Sequence, residues 1–329
     1  MRLFLSKIAL FTSLVFLSQI LTVLIYPGIV KTSGIHSKII NAINTKSDII
    51  YFGDSTIRFT HPDDKDLRPT SEILSSALPG KKLISLNHDA FDSTVYSLVT
   101  NHLVRTNKTK YLIIPVNLRS FGYKWETSVA WQFYELKAYL NTYNTPYYGF
   151  IPVLDNLEFF KLLSFPQMDS IYEEDIIEEI HLQKNSDRED SRLKEHLLLD
   201  YFYILTKNSR KLKSLIIIAE ETKKSTIIPI FYITPIDYQY SQTIYADFKK
   251  NPDQNIRTLK DSLKSKNMCL LDLSYSLPTS NFAWRQSGLV NEHLDENGRK
   301  FIASKIRDTI DSIENNQSTP DCSLESISK

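Results

Sequence analysis

The chain predicts a three-layer α/β fold: a doubly wound parallel sheet of about five strands, with an N-terminal transmembrane helix and a helical insertion. Three observations point there. Short apolar, β-branched or aromatic runs recur with helical or mixed stretches between them, and strands that alternate with helices form parallel sheets. An uncharged run precedes the first of them, and an aromatic-rich stretch interrupts their rhythm midway. At 329 residues and 42% hydrophobic content, the chain can bury one large core, with or without an insertion.

Arg2 and Lys7 precede the run Ile8 to Tyr26, which carries no formal charge. At about 1.5 Å rise per residue, such a helix crosses most of a bilayer core. The positive-inside rule keeps the amino terminus cytoplasmic and exports the chain beyond Pro27. Residues 1–28 are therefore read as a cytoplasmic stub and signal anchor, with the bilayer as partner of residues 8–26. The globular part is expected on the periplasmic side or cell surface. A cleaved signal peptide is the rival, although its apolar region is usually shorter and ends in a small-residue cleavage site. A buried core helix is the third reading, and Ser13, Ser18, Gln19 and Thr22 make the segment only moderately apolar.

Residues 29–46 come next as a juxtamembrane linker, and 47–314 as the α/β domain. Strands are predicted over Asp48–Phe52, Lys82–Leu86, Tyr111–Val116, Thr226–Thr234 and Met268–Leu273. Helices are predicted over Ser93–Arg105, Arg192–Lys223, Asn255–Lys264 and Asp295–Ile313, the last capped by Asp295. Residues 121–190 form an inserted cap rich in aromatics: Trp125, Trp131, Tyr143, Tyr147, Tyr148 and Phe150. These offer a sugar-stacking platform, core packing or contact with the bilayer interface. Residues 315–329 are a polar tail.

Lys+Arg of 39 against Asp+Glu of 38 leaves a formal charge of +1, so no global field draws the protein to nucleic acid. Cys269 falls in a predicted strand and Cys322 in the tail, so neither a disulfide framework nor a zinc site is visible. No metal or cofactor is expected.

The first strand stops on Gly53 and delivers Ser55 at its carboxyl end, the edge where open α/β sheets bind ligands. Asn117 comes after the strand Tyr111–Val116 and reaches the same edge. Its amide offers a donor to an oxyanion, while ordinary turn chemistry is the plainer alternative. His293 stands just before the last helix. Imidazole titrates in the range a serine's general base needs, yet a loop histidine is more often simply solvated. Asp54 is read as organising the turn.

Gly53-Asp54-Ser55, Asn117 and His293, with His-Leu-x-x-x-Gly before the last helix, together resemble the SGNH/GDSL hydrolase family over Ser47–Ile313. The resemblance implies a flavodoxin-like sheet, with Ser55 as nucleophile and His293 as base. The Ser55 amide and Asn117 would form the oxyanion hole. Two positions depart from the pattern. In the second block, Asn87-His-Asp-Ala-Phe-Asp92, the family's glycine is Asp92, whose carboxylate would oppose a developing oxyanion unless it points away or is protonated. The acid three residues before the histidine is replaced by Val290. Asn291, Glu292 or a residue elsewhere would then orient His293, or a Ser-His dyad would act alone. A solvated loop charge is the plainer reading of Glu292. Arg119 would hold an anionic substrate group or a structural carboxylate.

Asn117-Leu-Arg-Ser-Phe and Ile233-Thr-Pro-Ile are similar to membrane-anchored envelope members that act beside membrane-bound O-acyltransferases on surface glycans. The implied function is hydrolysis or transfer of acyl groups, acetyl foremost, on cell-envelope glycans. The alternative is a non-catalytic envelope protein that keeps the fold and binds glycan or an assembly partner. Asp92 and Val290 would then mark lost chemistry.

Overall fold

The computed structural model describes residues 2–25, 34–61, 63–127, 132–142, 182–183, 190–264, 268–285 and 292–316. The chain forms two compact units: Met1–Ile40 with Phe133–Ile177, and Asn41–Gln132 with Glu178–Lys329. Val290 and Asn291, and Trp131, Tyr143, Tyr147, Tyr148 and Phe150 of the predicted cap, lie outside the described residues.

The first unit contains a helix over Arg2–Ile25 and another over Tyr134–Thr142. Phe4, Leu5, Leu10, Phe11, Leu14 and Leu17 of the first are exposed. Among the described residues no helix is long and apolar enough to cross a membrane. For the Arg2–Ile25 helix, side-chain surroundings are described as far as Ser18.

The second unit holds a five-stranded sheet. Its strands are β1 (Ile49–Gly53), β2 (Leu83–Asn87), β3 (Tyr111–Val116), β4 (Ile228–Ile233) and β5 (Cys269–Asp272). The order is β2-β1-β3-β4-β5, with every pairing parallel. This is the flavodoxin-type doubly wound order, whose chain reverses direction between β1 and β3. All five strands coincide with predicted runs. They read as continuous apolar stretches because helices cover both faces of such a sheet.

Side-chain alternation sorts the two faces. Ile49, Tyr51, Tyr111, Ile113, Ile230, Tyr232 and Leu271 share one buried cluster with Ile73 and Leu74 of the helix Thr70–Ala77 and Ile302, Ile306 and Ile310 of the helix Glu296–Asn316. Within it the Tyr51 and Tyr232 hydroxyls share a 2.8 Å hydrogen bond across β3. The intervening residues Ile50, Phe52, Leu112, Ile114, Phe231 and Ile233 are equally buried toward the opposite face. There Phe52 stacks on Tyr96 of the helix Ser93–Thr106, with ring centroids 4.9 Å apart.

The helix predicted over 192–223 is instead two, Asp190–Tyr201 and Arg210–Thr222. Asn255 supports the break: its Oδ1 accepts from the Leu205 amide at 2.7 Å and its Nδ2 donates to the Tyr203 carbonyl at 3.0 Å. Backbone groups between the helices thus find side-chain partners in place of helical ones. Asn255 stands on a helix that starts earlier than predicted, at Lys250. Asp295 caps the last helix as expected, accepting from the Gly298 amide at 2.8 Å.

Lys211 ties two strand-end loops together. It lies on the buried stripe of its helix with Leu215, Ile218 and Thr222, and is 0% exposed. Its Nζ meets Asp92 Oδ2 at 3.1 Å and donates to the carbonyls of Ser120 and, at 3.3 Å, Trp125. Removing one partner of a buried pair leaves an uncompensated charge. Lys211→Met is therefore expected to cost about 3–5 kcal/mol in urea unfolding, and Asp92→Asn in the same chain to recover part of that loss.

Candidate active site

The turn after β1 depends on a close approach. A Cβ on Gly53 would come within 2.9 Å of the Ile57 side chain and 3.3 Å of Asn87, so only glycine lets the strand run directly into the short helix Ser55–Arg58. Asp54 caps that helix, accepting from the Thr56 amide at 2.8 Å and its hydroxyl at 2.6 Å. Organising this turn is the role expected of it. Ser55 is the first helical residue, 5% exposed, with a backbone N–H that has no partner within the helix.

Asn117 sits at the end of β3, across the switch point from Ser55. Its Nδ2 donates to Asp54 Oδ2 at 3.1 Å, and its Oδ1 accepts from the Arg119 amide at 3.0 Å. The turn chemistry expected of Asn117 is present. One end of the side chain shapes the turn Leu118–Phe121, and the other reaches Asp54, the neighbour of Ser55.

His293 is 3% exposed, which overturns the reading of a solvated loop histidine. Its ring stands edge-on to Phe59, with centroids 5.5 Å apart, and the Phe59 amide donates to the Ser55 carbonyl at 3.0 Å. The histidine ring thus packs on a residue one helical turn beyond Ser55. The chain around it is held by an antiparallel bridge between Phe282 and Leu294 and by the Ala283 amide donating to the His293 carbonyl at 2.9 Å.

Glu292 is not a solvated loop charge: it is 1% exposed. Its Oε2 meets Arg119 Nη1 at 3.2 Å. Arg119 is itself buried and lies over the Trp125 ring, 4.8 Å from its centroid. Arg119 thus holds a structural carboxylate, one of the two roles expected of it. Burial pushes the Glu292 carboxyl up to about 8, and nearby Asp200 and Asp54 push the same way, against the Arg119 charge and the Asn117 amide.

Both carboxylate oxygens of Asp92 are engaged. Its Oδ1 caps the helix Ser93–Thr106, accepting from the Thr94 amide at 2.8 Å and hydroxyl at 2.6 Å, while Oδ2 pairs with Lys211. Asp54-Ser55-Thr56 and Asp92-Ser93-Thr94 are the same capping device at two adjacent strand ends. The Asp92 carboxylate is thus taken up by the helix cap and by Lys211.

Arg299 is a site-supporting residue that sequence reading passes over. Fully buried, it donates through Nη1 to Asp64 Oδ2 at 2.7 Å and to the Leu294 carbonyl at 3.1 Å. It also donates through Nε to the Arg68 carbonyl at 3.1 Å and through Nη2 to that of Asp66. The segment after the helix Ser55–Arg58 is thereby fastened to Leu294, the neighbour of His293. Lys211 escapes sequence reading too, although its place on an apolar helical stripe is a readable signal.

Among the described residues, no group of three or more histidine, cysteine, aspartate or glutamate side chains is arranged to hold a metal ion.

Glu292 makes stability depend on pH. The folded protein keeps this proton where the unfolded chain has released it, so its contribution is fully present below the ordinary value of 4.5 and is lost as pH rises toward about 8. Thermal unfolding of wild type should show a midpoint that falls over that window, and Glu292→Gln should flatten the slope.

No family model and no curated protein matches the chain. Among solved structures, the chain is similar to a catalytic variant of the acetylxylan esterase from Geobacillus stearothermophilus, at 12% identity over 81% of this chain and 94% of that one, TM-score 0.41. It is also similar to an inhibitor-bound aryl esterase from M. smegmatis, at 9% identity over 81% of this chain and 99% of that one, TM-score 0.36.

Proposed function

We propose that the protein is a serine-dependent ester hydrolase or O-acyltransferase of SGNH type, acting on acyl esters, acetyl foremost, of cell-envelope glycans. One observation carries the reading: Ser55 and Asn117 are buried at the ends of the paired strands β1 and β3 and linked through Asp54, and the buried His293 ring packs against Phe59 of the segment that follows Ser55. Ser55 Oγ attacks the ester carbonyl carbon while His293 takes the hydroxyl proton. The carbonyl electron pair moves onto oxygen, where the Ser55 amide and the Asn117 side chain stabilise it. The tetrahedral intermediate then expels the alcohol, which receives its proton from His293, and the acyl group stays on Ser55. Water completes hydrolysis; a sugar hydroxyl held in its place completes transfer.

The location belongs to the same proposal. Arg2 and Lys7 ahead of the uncharged run Ile8 to Tyr26 support a membrane anchor that presents the domain outside the cytoplasm, beside glycan and a membrane-bound O-acyltransferase. Val290 favours the second reading, a scaffold that binds without catalysis, because the family's acid is absent there.

A fluorophosphonate reagent separates the two, since it bonds only to an activated serine. Wild type is expected to gain one adduct by intact mass, absent from Ser55→Ala and reduced to background in His293→Ala. A folded wild type that takes up no reagent would establish the scaffold reading.

A further inference from the structure

The residues directly before the two candidate catalytic residues are joined to each other. Asp54 accepts from Asn117 Nδ2, Asn117 Oδ1 accepts from the Arg119 amide, and the Arg119 guanidinium pairs with Glu292. On the other flank of His293, Arg299 holds the Leu294 carbonyl and the segment beyond the nucleophile helix. His293 is thus gripped through both neighbours, from loops that also carry Ser55 and Asn117. We infer that Arg119 and Glu292 are positioning residues for His293, linking it to Ser55 through Asn117 and Asp54, and that this linkage stands in for the acid absent at position 290.

Three features support the linkage. Every member is buried, so each polar contact is made where water does not compete for it. The Arg119 fork is planar and its ring contact with Trp125 fixes its orientation, which makes it a stiffer strut than a flexible ammonium. Glu292 is next to His293 in sequence, so a shift of its side chain moves the imidazole's own backbone. The charged groups facing Glu292 are Arg119, Asp54 and Asp200, and none of them is supplied by a substrate.

The role rests on the proposed serine chemistry, and its test keeps the two apart. Full-length protein in mild detergent would carry Arg119→Met, Glu292→Gln, or the double replacement Arg119→Met with Glu292→Leu. Fluorophosphonate labelling rates would be followed across pH, with thermal midpoints and hydrogen exchange of the 292–296 peptide alongside. Each single variant is expected to slow labelling by about 100-fold, as small misplacements of a catalytic group do, with a moved pH midpoint and faster exchange. The double variant should regain thermal stability, because apolar replacement of a buried pair is often neutral, yet stay slow. A folded double variant that labels at the wild-type rate would overturn the inference and leave the pair a charge-balancing device. So would folded single variants with unchanged rate, pH midpoint and exchange. If wild type itself does not label, the serine reading fails; exchange at 292–296 then decides alone, and no change there overturns the linkage as well.

Discussion

A charge taken out of water needs its partner inside the protein, and in this domain the partners come from different loops. Asp92 before the helix Ser93–Thr106 is met by Lys211 from a later helix and Arg299 in the last helix by Asp64, while Arg119 after β3 lies 3.2 Å from the Glu292 carboxyl before that helix. Each pair spans two connections, so satisfying the charges also welds the carboxyl edge of the sheet into one body. The placement of Ser55, Asn117 and His293 depends on that welding as much as on the strands themselves.

The sheet supplies the coarse geometry. Parallel strands bring all their carboxyl ends to one side, and the 2-1-3-4-5 order leaves a crevice between β1 and β3. Two successive strand ends then use one solution: an aspartate that bonds the amide and hydroxyl of a threonine two residues on and turns the chain into a helix. At the first the intervening serine is Ser55. At the second it is Ser93, whose hydroxyl donates to the Lys211 carbonyl and is occupied structurally. The same local motif thus yields a candidate nucleophile at one site and a packing contact at the other, and surroundings decide which.

The strands are legible in the sequence because a doubly covered sheet demands unbroken apolar runs, and the Asp295 cap because its chemistry is local. The hidden features depend on distance. The break at 202–209 has one local mark, Ser209, which caps the second helix, but the side chain that satisfies the loop backbone is the distant Asn255. Glu292 reads as a loop charge until Arg119 is seen beside it, and Asp92 reads as an intrusion on the oxyanion hole until Lys211 is. Ser55, Asn117 and His293 are marked by strand ends and helix starts, whereas the groups that hold them are visible only once the chain is folded.

Serine chemistry at this edge requires the three loops to converge around Ser55. A crystal structure of the protein covalently modified by a phosphonate measures that convergence directly, because the phosphonyl oxygen occupies the place of the developing oxyanion. The expected result is phosphorus on Ser55 Oγ, that oxygen within hydrogen-bond reach of the Ser55 amide and Asn117 Nδ2, and the His293 ring facing Oγ. A phosphonyl oxygen turned to solvent, with Asn117 committed wholly to Asp54 and Glu292 and the imidazole directed elsewhere, would contradict it.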